Sequence, residues 1–230
     1  MILLEKKIGY SRDSVHWIDK QNNRYFRRVV GGIHWPGMMP GYFVIVGELD
    51  TVDPLLNERH LYLVCELNGA EVIGRDLVGF IRRVAELRGI YDLENIYGDP
   101  SRKSVREVLS QFNETIPDKR NGLSIEKAPL IEDPRCFEYC IQIVRKHLVE
   151  GRKTLHLGPD SRLPGILASA GDGVMTGKPD EFPAIAALGY AVGALDTWKP
   201  FDQSLSQRQD IKPDIFTYCK TDEKRPRFHD

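Results

Sequence analysis

The sequence has no apolar run long enough to cross a bilayer. Its longest, Phe182–Leu195, is too short and too rich in Ala and Gly. The start, MILLEKKIGY, lacks the extended apolar core of a signal peptide, so the default expectation is a cytoplasmic protein with no membrane contact. There is no surplus of either charge. The net is −1 over 230 residues, which supplies no global basic field and leaves any nucleic-acid contact to local patches. Cysteine is scarce. Cys65, Cys136, Cys140 and Cys219 form no CxxC and have no nearby His or Cys to complete a zinc set; they read as buried or idle thiols. No GxSxG is present, which removes the usual serine nucleophile. Gly171–Pro179, GDGVMTGKP, imitates a phosphate-binding loop but fails it. Asp172 stands where the first Gly is required, and Pro179 stands where a hydroxyl would meet magnesium. No internal repeat or low-complexity tract occurs.

What is present is an ordinary globular composition, 41% hydrophobic and 28% charged, long enough for one large domain with a substantial core. The chain is organised around residues 27–50, RRVVGGIHWPGMMPGYFVIVGELD. Two β-rich arms are joined by Pro36, Gly37, Pro40 and Gly41, residues suited to a turn. YFVIVG is apolar without alternation, as in a strand covered on both faces. Residues 1–25 read as an extended arm or edge strand. A third strand, His60–Leu67, alternates so that Leu61, Leu63 and Cys65 share one face, with Tyr62, Val64 and Glu66 on the other.

Helical periodicity then appears over residues 73–89, with Gly89 as its stop. A short strand, 93–99, ends in Gly-Asp-Pro, and a helix over 104–112 follows. Residues 123–127 suggest another short strand. Asp133 and Pro134 open a helix to Gly151, and 154–157 is a brief strand. Residues 158–179 read as a Gly/Pro-rich loop, and Asp180 opens a small-residue helix to Leu195 that is apolar nearly all round and therefore buried. From Lys199 the chain is a polar tail. Strand, helix, strand, helix after an antiparallel hairpin describes a mixed α/β sheet with flanking helices. In its parallel part, ligands bind at the C-terminal strand edge.

Acids fall at that kind of edge: Glu66 in an otherwise apolar strand, Asp99 after the short strand, and Asp180 with Glu181 at the last helix. Each also has a structural explanation. Glu66 is a strand-end carboxylate, Asp99 a turn cap before Pro100, and Asp180 and Glu181 are favoured by the helix dipole. Clustered carboxylates without soft ligands suit Mg²⁺ or Mn²⁺. Two such ions activate a water and stabilise the leaving oxygen in phosphodiester cleavage. Together the sheet and the acids describe a ribonuclease H-like nuclease. Local basic clusters offer a DNA path: Arg24, Arg27 and Arg28; Lys119 and Arg120; and Arg102, Lys103 and Arg106, which directly follow Asp99 and are the expected phosphate contacts.

The runs RRVVGGIHWPG, YFVIVG, LYLVCELNG, FIRRVAELRGI and NIYGDPS, then EYCIQIVRKHLVEG and DEFPAIAALGYAV, resemble the C-terminal nuclease domain of phage terminase large subunits. The resemblance covers about residues 26–196 in order. It implies a domain over 26–198 between an N-terminal arm, 1–25, and the tail, 199–230. By position it implies a site of His34, Glu66, Asp99 and Asp180 or Glu181. Glu66, Asp99 and Asp180 would hold Mg²⁺ or Mn²⁺, with His34 a substitute ligand or general base. It implies double-stranded DNA as partner in a bacterial cell, with a separate packaging ATPase, a small terminase subunit or the portal. Two departures stand out. His34 occupies the place of the family's first-strand Asp, and Ala186-Ala187-Leu188-Gly189-Tyr190 stands where the family's last helix commonly reads Asp-Ala-Leu-x-Tyr. An imidazole removes one negative charge from the site. The implied functions are therefore a metal-dependent endonuclease or an eroded DNA-binding or assembly module of prophage origin. The ATPase half that precedes this domain in the family is not in the sequence.

Overall fold

The sheet grows outward from one long strand, β3 (Arg24–His34), in a computed structural model that describes residues 2, 4–8, 15–37, 40–50, 59–72, 76–117, 122–129, 131–133, 135–149, 154–170 and 178–196. The sequence motif at 171–177, the basic pair Lys119 and Arg120, and the tail from Lys199 lie outside the described residues. On one side β3 pairs antiparallel with β4 (Tyr42–Leu49), and β4 pairs antiparallel with β5 (Leu61–Asn68). The other side of β3 is shared. Its first half pairs antiparallel with β2 (Val15–Asp19), which continues to β1 (Glu5–Ile8). Its second half pairs parallel with β6 (Ile96–Gly98), and β6 pairs parallel with β7 (Glu126–Lys127). β8 (Leu155–His156) pairs parallel with β5 at the far edge. Three antiparallel strands continued by parallel strands beside the first of them form the ribonuclease H-like mixed α/β sheet expected from the sequence. The N-terminal arm is a two-strand extension of this sheet.

Two bulges decide which side chains share a face. Between Phe26 and Arg28 the register to β4 slips by one, with Arg27 as the extra residue. Between Ile45 and Val46 it slips again, with Val64 as the extra residue on β5. The second slip corrects the simple alternation read from the sequence. Cys65 packs with Ile45 and Phe43 on one face, while Glu66 moves to the face of Leu61 and Leu63. A period of two holds only while the pairing is regular.

Each face has its own cover. Phe43, Ile45, Ile33 and Trp35 meet Phe80, Ile81, Val84 and Leu87 of α1 (Leu77–Tyr91), with α2 (Lys103–Glu114) beside them. α1 runs through Gly89, the expected stop, to Tyr91 and ends on Asp92, which takes the left-handed conformation (φ 47°). The opposite face is covered by α5 (Pro183–Leu195), itself backed by α3 (Cys136–Val149). A short helix, α4 (Leu163–Ala170), stands where the sequence suggested only loop. No helix among the described residues is long and apolar enough to cross a membrane.

α5 lies against β3 because small residues line both partners. A Cβ on Gly32 would come 2.1 Å from the Ala187 carbonyl oxygen. Gly189 and Gly193 leave similar room for Cys140 and Tyr139 of α3. This close approach sets the start of α5 beside the end of β3. The helix begins at Pro183, with Phe182 as a cap that makes no side-chain bond. Asp180 and Glu181 therefore sit in the turn before it, not on its first residues as expected, and are free to face elsewhere.

Candidate functional site at the C-terminal edge of β3

His34 is the last residue of β3, opposite Tyr42 of β4, on the face that α5 covers. Its side chain is buried. Nε2 lies 2.9 Å from Asp180 Oδ1. The same oxygen accepts from Arg102 Nη2 of the β6–α2 connection. One carboxylate thus joins three elements: the end of the first core strand, the turn after β6 and the turn before α5. Gly37 lies over the pair, where a Cβ would meet Arg102 Nη1 at 3.4 Å and Asp180 Oδ1 at 3.8 Å. Tyr190 of α5 flanks the imidazole at 6.5 Å between ring centres.

The charges follow from burial and from these contacts. Burial is the main influence on His34 and holds its pKa below the ordinary imidazole value, although the Asp180 hydrogen bond works the other way. Near neutral pH it is an uncharged ring. Partial burial pushes the Asp180 carboxyl up, but the hydrogen bonds from Arg102 and His34 outweigh it and leave it below the usual carboxylate range. Burial raises the Tyr190 phenol, so it stays protonated.

Asp99 is one strand over. Gly32 pairs with Tyr97 in the parallel ladder, and Asp99 follows two residues later, close enough for its charge to act on His34. Trp35 Nε1 donates to the Asp99 carbonyl at 2.7 Å and ties this turn to β3. The Asp99 carboxylate accepts from the backbone N–H of Ser101 at 2.8 Å and from its hydroxyl at 2.5 Å. That is the turn-capping role anticipated for it.

The other expected residues are placed differently. Glu66 is two strands from β3, in the row Gly32–Val44–Glu66. Its oxygens accept from Arg162 N at 2.6 Å, Ser161 Oγ at 3.0 Å and Tyr42 Oη at 3.3 Å. It fastens the start of α4 to the sheet. Glu181 accepts from the Lys178 backbone at 3.3 Å in an exposed turn. Lys103 is exposed with a loose 3.8 Å ion pair to Glu107, and Arg106 is exposed on the same helix. Arg102, expected to meet phosphate, is partly buried and pairs with Asp180.

No protein-family model matches the chain, and no curated protein matches it. Among solved structures it is similar to the large terminase from a thermophilic bacteriophage. The TM-score is 0.47 and the identity 13%, over 74% of this chain and 40% of that one. The chain thus spans well under half the length of that terminase. The fold assignment rests on the strand order.

Mg²⁺ and Mn²⁺ take cages of oxygen ligands. Here an imidazole stands at the strand end, a guanidinium already neutralises Asp180, and both oxygens of Glu66 are engaged at α4. Among the described residues no group of three His, Cys, Asp or Glu is arranged to hold an ion. As these side chains stand, they do not fit a two-ion centre. Such a centre would require Arg102 to leave Asp180. The arrangement instead presents a fixed ion pair, a neutral imidazole and exposed cations on the neighbouring helix.

Proposed function

We propose that the chain is a terminase-nuclease-like domain that engages double-stranded DNA in a phage packaging machine, with its metal site converted to an ion-paired one, so that it holds DNA or a packaging partner without cutting. The observation that carries this reading is the sharing of Asp180 Oδ1 by Arg102 and His34. A protein cation engages Asp180, beside a strand end that carries an imidazole where the resemblance implies an acid. The ordered sequence resemblance supports the family, and Lys103 and Arg106, exposed next to the site, support a phosphate contact there. The partners on this reading are duplex DNA and a separate packaging ATPase, small terminase subunit or portal, in the bacterial cytoplasm of a phage- or prophage-bearing cell.

A second reading keeps the catalytic function, a divalent-metal-dependent endodeoxyribonuclease using Mg²⁺ or Mn²⁺. The convergence of His34, Asp180 and Asp99 at one strand edge favours it. A plasmid-nicking assay separates the two. On the leading reading the chain binds duplex DNA and leaves supercoiled plasmid intact with either ion. Nicking that disappears in Asp99→Ala would establish the nuclease in its place.

A further inference from the structure

At the end of β3 remote from His34, three guanidiniums converge on one carboxylate. Glu48, near the end of β4, has a fully buried side chain. Arg28 stands directly across from it, and Arg27, the bulge residue, reaches it too. Arg27 Nη2 donates to Glu48 Oε1. Arg28 Nη1 lies 3.8 Å from Oε2, and Arg59 Nε lies 3.6 Å from Oε1. The bulge is what turns two consecutive residues of one strand toward a single partner.

Two of these arginines have a second task. Arg28 Nη2 donates to the Ala194 carbonyl at 2.9 Å and Arg59 Nη1 to that of Leu195 at 3.0 Å. They satisfy the open carbonyls at the end of α5 and complement its dipole. Arg27 has no such task. Its one hydrogen bond among the described residues goes to Glu48, and its side chain is 46% exposed. Three guanidiniums thus face one carboxylate, and the capped carbonyls, being neutral, offset none of their charge. Asp50 is near enough to strengthen the proton hold of Arg27, so among the described side chains here three cations stand against two carboxylates. The guanidinium of Arg27, tethered to the buried acid through Nη2 alone and partly exposed, keeps donors of the kind that suit phosphate oxygens.

We propose that Arg27, held in place by Glu48 beside Arg28 and Arg59, makes a second DNA contact, taking a backbone phosphate of a duplex at the end of the sheet opposite His34. It shares its ligand, though not its site, with the function proposed above. The test is anisotropy of a labelled mixed-sequence 30-bp duplex with the full chain across a salt series. Arg27→Ala should weaken binding several-fold, equally on two unrelated duplexes. It should also make the slope of log K against log salt shallower by about 1. Arg27→Gln keeps a donor for Glu48 while removing the charge, and should lose the same slope with the fold intact; Arg27→Lys should retain it. Lys103→Ala with Arg106→Ala reports on the His34 edge separately. If that pair loses slope while Arg27→Ala and Arg27→Gln do not, the second contact is refuted and the first survives. Polyglutamate competing as well as DNA would refute it in favour of an acidic protein partner. A wild-type chain that binds no duplex refutes both.

Discussion

Gly32 of β3 and Ala187 of α5 touch backbone to backbone: a single added methyl at residue 32 would sit 2.1 Å from the Ala187 carbonyl oxygen and 2.8 Å from the Ala191 nitrogen. Neither obstacle is a movable side chain, so α5 must shift if residue 32 gains a Cβ. Gly32→Ala should lower unfolding free energy by about 3 kcal/mol, at the upper end of ordinary overpacking. Urea denaturation checks this. Gly165→Ala, in α4 where a Cβ meets nothing within 4 Å, is the control and should stabilise by about 0.5–1 kcal/mol through helix propensity.

Arg102 competes with any divalent ion for Asp180. His34→Asp places an acid at the strand end but leaves Arg102 on Asp180, so it should gain little metal affinity. The double variant His34→Asp, Arg102→Ala should gain much more. In the absence of divalent ion its uncompensated carboxylates should lower the melting temperature. Mn²⁺ at a hundred times its dissociation constant should restore about 2.7 kcal/mol. A thermal-shift titration reads this without any assay of cleavage. An unchanged Mn²⁺ response in the double variant would show that Arg102 is not the obstacle.

His34 and Asp180 give the fold a preference for neutral over acid pH. The native imidazole has a lowered pKa, so the unfolded chain takes the proton first as pH falls through 6.5. Stability is therefore full above that value and declines below it. The Asp180 carboxyl, also lowered by Arg102 and His34 against its partial burial, adds a further loss below its ordinary range near pH 4. Wild type should lose stability between pH 7 and 5 relative to His34→Gln. Parallel curves for the two would remove His34 as the cause.

Glu66→Gln tests whether that acid fastens structure or holds metal. With its oxygens accepting from Ser161, Arg162 N and Tyr42, loss of the charge should cost about 1–2 kcal/mol. Hydrogen exchange should quicken in residues 161–168. DNA affinity and any divalent response should be unchanged.

The hairpin, the third strand and the strand–helix units were legible because long β-branched runs and helical stripes survive any local irregularity. That His34 and Asp180 meet at 2.9 Å was expected only through the family resemblance, since no local pattern links residues so far apart in the chain. The face of Glu66 was not. It depends on a bulge at Val64 that no residue type announces. Arg102 was seen as a surface cation because its pairing with Asp180 spans 78 residues. The arginine cluster offered one overlooked sign, Glu48 in the run YFVIVGEL, an acid in an apolar strand of the same kind as Glu66.

α5 closes over β3 although about 160 residues of chain separate them. At roughly 5–20 residues per second of synthesis, the nascent hairpin waits on the order of ten to thirty seconds before its second apolar face has a lid. During that interval Val30, Val44 and Val46 are open to chaperones and to neighbouring nascent chains. Ribosome stalling ahead of residue 183 would therefore leave that apolar face bare and favour aggregation.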